Sequence, residues 1–127
     1  GQVQLSFPGL SSLVPHVKAG SVRALAVTGA TRSGVLPELP TIAESGLAGY
    51  EATTFWGVLA PARLPQAALQ RLGRATVEIA RHPELRQHFL GLGIDPASSS
   101  PAQFAAQIEA DIPKWAKVIR LSGAKPD

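Results

Sequence analysis

Three histidines, His16, His82 and His88, are the side chains here best suited to carry a proton near neutral pH or to hold a transition metal. Their spacing serves neither purpose. His82 and His88 stand six apart, which does not return to one face of a helix. His82 precedes Pro83 and reads as a helix-boundary residue. Serine is frequent, yet no Gly-x-Ser-x-Gly turn occurs and no Ser-His-acid set can be argued. Gly91-Leu92-Gly93 lacks a third glycine and a preceding strand, so it reads as a helix stop and not as a phosphate loop. Glu38, Glu44 and Glu51 flank loops and read as solvated or capping groups. The chain has no cysteine, which excludes disulfides, thiolate metal sites and cysteine nucleophiles. No enzyme signature emerges, and no cofactor or metal is implied.

The bulk composition fits a globular domain. At 127 residues, with 45% hydrophobic and 17% charged residues, the chain can bury a core. The net charge of +3 comes from scattered Lys and Arg without a basic run, so nucleic acid is not an expected partner. No apolar run approaches the ~20 residues of a membrane span. The start, Gly1-Gln2-Val3-Gln4, lacks the basic and apolar regions of a signal peptide.

These residues need elements to hold them. Residues 3–7 alternate apolar and polar, the period of a half-buried strand. Residues 10–19 read as a short helix with Leu10, Leu13, Val14 and Val17 on one face, bent or shortened by Pro15 and closed by Gly20. Residues 22–27 are nearly all apolar and predict a strand covered on both faces. A loop rich in Gly, Ser and Pro follows, and Thr41 with Glu44 three residues later predicts a capping box closed by Gly46. Residues 53–60 read as a second strand. There Gly57 marks a close backbone approach, and Phe55 and Trp56 suit either core packing or the wall of a cleft. From Pro65 the chain is helical, with a stripe of Ala68, Leu69, Leu72, Thr76 and Ile79, a break at His82-Pro83, and a second helix through Leu85, Phe89 and Leu92. Ser100, Pro101 and Gln103 predict an N-cap, a proline at the first helical position and a capping box. Phe104, Ile108, Ile112, Trp115 and Ile119 then form the last stripe, with a kink expected at Pro113 and packing on the same body as Leu69 and Leu72.

The order of motifs between Gly20 and Pro65 resembles the Bug-type solute-binding receptors of tripartite tricarboxylate transporters. The matching elements are Gly20, Val22 to Thr28, Arg32, Leu36-Pro37-Glu38-Leu39-Pro40-Thr41, Glu44, Gly46, Phe55-Trp56-Gly57, Ala60-Pro61 and Pro65. The tail Ser122-Gly123-Ala124-Lys125 is also similar. The resemblance covers only the C-terminal part of these receptors, so the chain is expected to be a fragment and its missing export signal uninformative. It implies an α/β fold, the C-terminal fragment of a two-lobed, type II-like periplasmic binding protein. Residues 1–50 would end the second lobe as strand, helix, strand and Pro-rich loop, and residues 51–127 would return to the first lobe with its C-terminal helices. Two departures stand out: Gln4 replaces a usual Asp, and Pro8 stands where a polar residue is common.

The implied function is capture, in the periplasm, of a small carboxylate or similar organic anion for membrane permease subunits. The expected ligand-binding residues are Phe7, Pro8 and Ser11 on one turn, and Phe55 and Trp56 on the aromatic segment. A helix N-terminus is partly positive and presents backbone N–H groups, which suits the turn before residue 10 to a carboxylate. Ser11 and Ser12 would add hydroxyl donors there or simply cap the helix. A non-catalytic ligand-sensing or signalling module of similar fold is the alternative. A fragment of a two-lobed protein leaves edges and apolar faces uncovered, so self-association is expected.

Overall fold

A computed structural model describes residues 2–125, and the ends of the two expected segments at residues 1, 126 and 127 lie outside it. Four helices follow in order: α1 Leu10–Lys18, α2 Gln66–Arg81, α3 Pro83–Gly91 and α4 Pro101–Ser122. Their ends follow from local chemistry. α1 closes in a Schellman arrangement, with Ser21 N–H donating to His16 O and Gly20 N–H to Val17 O, and Gly20 at φ 68°. Pro15 lies inside this helix without ending it. His82 ends α2 and begins α3, with Pro83 opening the new helix. α3 closes as α1 does, through Ile94 N–H to Phe89 O and Gly93 N–H to Leu90 O. α4 opens with the expected capping box: Ser100 Oγ accepts from Gln103 N–H, and Gln103 Oε1 accepts from Ser100 N–H.

The expected strands do not form. Among the described residues the strand-like pairing is one parallel bridge, Val27 to Thr41. Val27 N–H donates to Pro40 O at 2.9 Å and Ile42 N–H to Val27 O at 3.0 Å. Just beyond, Ala52 N–H donates to Thr28 O. Residues 3–7, 22–26 and 53–60 carry no strand and lie mostly exposed. An apolar or alternating pattern makes a strand only when a neighbour takes its N–H and C=O groups. Only Val27 finds that neighbour.

Burial is equally local. Val14 of α1 is the one buried apolar side chain among the described residues, at 6% exposure, joined by Thr41 at 1% and Ser33 at 8%. Leu10, Leu13 and Val17 are half-buried beside Val14, as the α1 stripe predicts. No residue of α2, α3 or α4 is buried. α2 also turns differently from the expected stripe. Ala68, Leu69, Gly73, Val77 and Ala80 are half-covered, while Leu72 and Ile79 are more than half exposed. Gly73 sets this orientation, because a methyl group there would lie 3.1 Å from Pro101 Cγ at the start of α4. In α4, Phe104, Ile108 and Trp115 are half-buried, but Ile112 and Ile119 face outward.

The surface totals 10181 Å², against roughly 6,500 Å² for a compact monomer of this mass. Exposed apolar side chains such as Leu72, Ile79, Ile112 and Leu121 contribute to the difference.

Candidate functional site

The turn before α1 holds three of the five expected ligand residues. Gly9 is the N-cap and, having no side chain, caps nothing. Ser12 does not cap either: its hydroxyl donates to Gly9 O at 2.8 Å and its N–H returns to the same oxygen at 3.1 Å. The expected Ser11 or Ser12 N-cap is thereby corrected. Among the described residues no side chain accepts from the first-turn N–H groups, although Ser12 N–H is already engaged by Gly9 O. Phe7 is 70% exposed, and Pro8 and Ser11 are exposed beside it.

Phe55 and Trp56 divide the two roles open to them. Phe55 packs edge-on to Phe104 of α4, ring centroids 5.5 Å apart and planes at 80°. Gly57 is glycine for the same reason, since a methyl group there would overlap the Phe104 ring. The close approach expected at Gly57 is therefore to an aromatic side chain. Trp56, the next residue, is 74% exposed, which overturns core packing for it within this chain. No hydrogen bond or aromatic contact among the described residues joins the Phe7–Ser11 turn to Phe55 or Trp56.

Two polar locks organise the loop between these regions. In the first, Thr41 and Glu44 form the expected capping box: Thr41 N–H donates to Glu44 Oε2 at 2.8 Å, and Glu44 N–H donates to Thr41 Oγ1 at 3.0 Å. Arg32 Nε reaches the same carboxylate at 2.9 Å, and its Nη1 donates to Pro37 O. The Thr41 N–H, with help from Arg32, holds the Glu44 carboxyl below its ordinary 4.5, although desolvation opposes the shift.

The second lock joins residues far apart in the sequence. Asp95, just past α3, accepts from Ser33 Oγ at 2.5 Å and from Gly34 N–H at 2.8 Å, and Ser33 Oγ also accepts from Val35 N–H. Ser33 and Asp95 are 62 residues apart, so no local pattern could reveal the pair. Only the acidic residue just after a helix-closing glycine hinted at a role.

Two apolar grooves lie elsewhere. One of about 880 Å³ runs between α2 and the start of α4, past Leu69, Gly73, Val77 and Pro101. Another of about 520 Å³ sits at the α2–α3 elbow, by Ile79, Leu85 and His88. Neither includes any of the five expected ligand residues. Among the described residues no group of three acidic, cysteine or histidine side chains could hold a metal ion, and no helix is long and apolar enough to cross a membrane.

Comparison with known proteins gives consistent results. The model of the tripartite tricarboxylate transporter family receptor, TctC, matches residues 1–123. A UPF0065 protein from the tcbD-tcbE intergenic region of Pseudomonas sp. strain P51 is 34% identical over 120 residues, which is 94% of this chain and 36% of that protein. Protein BugT of Bordetella pertussis is 30% identical over 98% of this chain and 38% of its own length. Among solved structures, R. palustris Rpa4515 with adipate superposes with a TM-score of 0.75 at 33% identity, covering 93% of this chain and 40% of that one. The periplasmic binding protein BugD gives 0.71 at 26% identity, over 91% and 39%. The chain thus spans little more than a third of the length of these relatives.

Proposed function

From a chain that belongs to the tripartite tricarboxylate transporter receptor family, we propose one wall of a periplasmic cleft that captures a small organic anion, a carboxylate, for membrane permease subunits. The observation that carries this reading is the N-terminus of α1. Its N-cap has no side chain, its first-turn N–H groups have no side-chain acceptor, and an exposed aromatic, Phe7, stands beside it. A carboxylate placed there accepts backbone hydrogen bonds and gains from the helix dipole. Pro8 contributes shape alone, since proline lacks a backbone N–H, and Ser11 supplies a hydroxyl. Trp56 offers a flat apolar face to the ligand chain, and Phe55 holds that segment against α4.

In this reading residues 1–50 end the second lobe and residues 51–127 return to the first, so the cleft wall crosses between them. The role is binding and release, without catalysis. The presence of adipate in the Rpa4515 structure makes that dicarboxylate the first ligand to try. The test is an amide-resolved NMR titration of the ¹⁵N-labelled chain with adipate. Shifts confined to residues 7–12 and 55–57 are expected. Shifts only along the α2–α4 groove, or none up to about 100 mM adipate, where even the weak binding expected of one wall registers, would remove this assignment.

A further inference from the structure

The α3–α4 connection packs closely against the first turn of α1. Gly93 is buried and adopts φ 75°, which disfavours a side chain. A methyl group at Gly93 would lie 2.6 Å from Ser11 Cα, 3.0 Å from Ser11 N and 3.1 Å from Leu10 O. All three neighbours are backbone atoms of the first turn of α1, and backbone cannot swing aside as a flexible side chain can. Two residues on, Asp95 fastens this connection to the loop at Ser33 and Gly34 through two hydrogen bonds, at 2.5 and 2.8 Å. Gly34 is itself confined, since a methyl group there would meet Asp95 Oδ1 at 3.1 Å and Leu90 Cδ2 at 3.4 Å.

We infer that Gly93 and Asp95 are positioning residues for the anion-binding turn: Gly93 lets the connection seat against Leu10 and Ser11, and the Asp95 latch to Ser33 and Gly34 fixes where that seat lies. The inference rests on the proposed role of the α1 N-terminus and deepens it. It gives the turn a defined orientation even though Gly9 supplies no cap. Two N–H groups recognise a carboxylate only when held at the right spacing, so a brace from a distant segment acts on affinity without touching the ligand. Gly93 matters in a second way. The space next to Ser11 N is where its side chain would sit, so glycine keeps a side chain out of that space.

The experiment follows amide resonances in the ¹⁵N-labelled chain for Gly93→Ala, Asp95→Ala and Asp95→Asn, each with and without the same dicarboxylate. Gly93→Ala and Asp95→Ala are expected to move Leu10, Ser11 and Ser12 and to weaken the dicarboxylate response of residues 7–12 at least tenfold. Glu44 and Gln103, which report the Thr41 and Ser100 caps, should stay in place. Asn keeps an oxygen for Gly34 N–H and a polar group for Ser33, so Asp95→Asn should restore most of the response that Asp95→Ala loses. If Leu10–Ser12 stay unmoved in Gly93→Ala, or Asp95→Ala responds like the parent chain, the brace is wrong. Should Gly93→Ala fail to fold, the Asp95 pair decides alone. If the parent chain itself shows no response at residues 7–12, the receptor reading fails, while the Leu10–Ser12 positions without ligand still decide the brace.

Discussion

The loop between residues 27 and 52 and the two long helices α2 and α4 invert the usual relation between regularity and burial. The loop has one isolated bridge for secondary structure, yet it contains Thr41 at 1% exposure and Ser33 at 8%. The helices have complete ladders and, in α4, a full capping box, yet they bury nothing. The lesson concerns where each kind of order comes from. A helix is held by bonds within its own segment, so capping and propensity suffice to define it. Burial needs a second surface. The loop brings its own through Arg32–Glu44, Thr41 and the Asp95 latch, whereas α2 and α4 present apolar stripes that this chain does not cover.

The largest expected difference separates the latch from every helix surface. Asp95→Ala leaves Ser33 Oγ and Gly34 N–H without their carboxylate, and hydrogen bonds to charged groups contribute about 1.5–3 kcal/mol each. A loss of about 2–3 kcal/mol in urea unfolding is expected, and a loss under about 0.5 kcal/mol would place the latch on the surface in energetic terms. Next is the α4 cap. Ser100→Ala removes half of a capping box, worth about 1 kcal/mol, and should shorten α4 as seen by circular dichroism without disturbing Thr41 or Ser33.

A smaller effect is expected at the uncovered stripe. Ile79→Ser should change unfolding by no more than about 0.5 kcal/mol, because the side chain is already more than half exposed. The same substitution should reduce self-association in light scattering if that face is one through which copies pair. A clean monomer of the parent chain at high concentration would contradict the self-association expected of it.

The smallest effect is electrostatic. Glu44 is held below its ordinary 4.5 in the folded chain, so its stabilising contribution is present above about pH 4.5 and is lost as pH falls through the lower folded value. Both partners are about half exposed, so the effect should be modest and weakened by salt. Melting curves from pH 7 to 3 should show a steeper acid loss for the parent than for Glu44→Gln. Parallel curves would assign the acid sensitivity to other carboxylates.

What the sequence revealed follows the same division. All four helices, the His82-Pro83 break, the Ser100 and Thr41 caps and the Gly20 and Gly93 stops are written within a few residues of where they act. The strands expected at residues 3–7, 22–27 and 53–60 do not form because alternation and apolarity record a face suited to a partner, and among the described residues only Val27 has one. The α2 stripe lies one row away from the expected one, because Leu72 and Val77 both lie on apolar rows and Gly73 packs against Pro101. Of the candidate site, Phe7, Pro8 and Ser11 share one turn as adjacency requires. The brace at Gly93 and Asp95 was invisible because it joins segments more than 60 residues apart.

On the proposed reading this chain supplies one wall of a carboxylate cleft and not the whole of it. A small-molecule site typically buries about 70–90% of its ligand, which one wall does not do. A complete receptor binding at about 1 μM has roughly −8.2 kcal/mol to work with. Removing two hydrogen bonds to a charged group, at about 1.5–3 kcal/mol each, leaves about −2 to −5 kcal/mol, a dissociation constant between about 0.2 mM and tens of millimolar. Calorimetric titration of the monomeric chain with a panel of linear dicarboxylates and aromatic acids measures this directly. Dissociation constants of about 0.2 mM or weaker are the predicted result, and low-micromolar binding by the monomer would contradict it by placing a complete site within these residues.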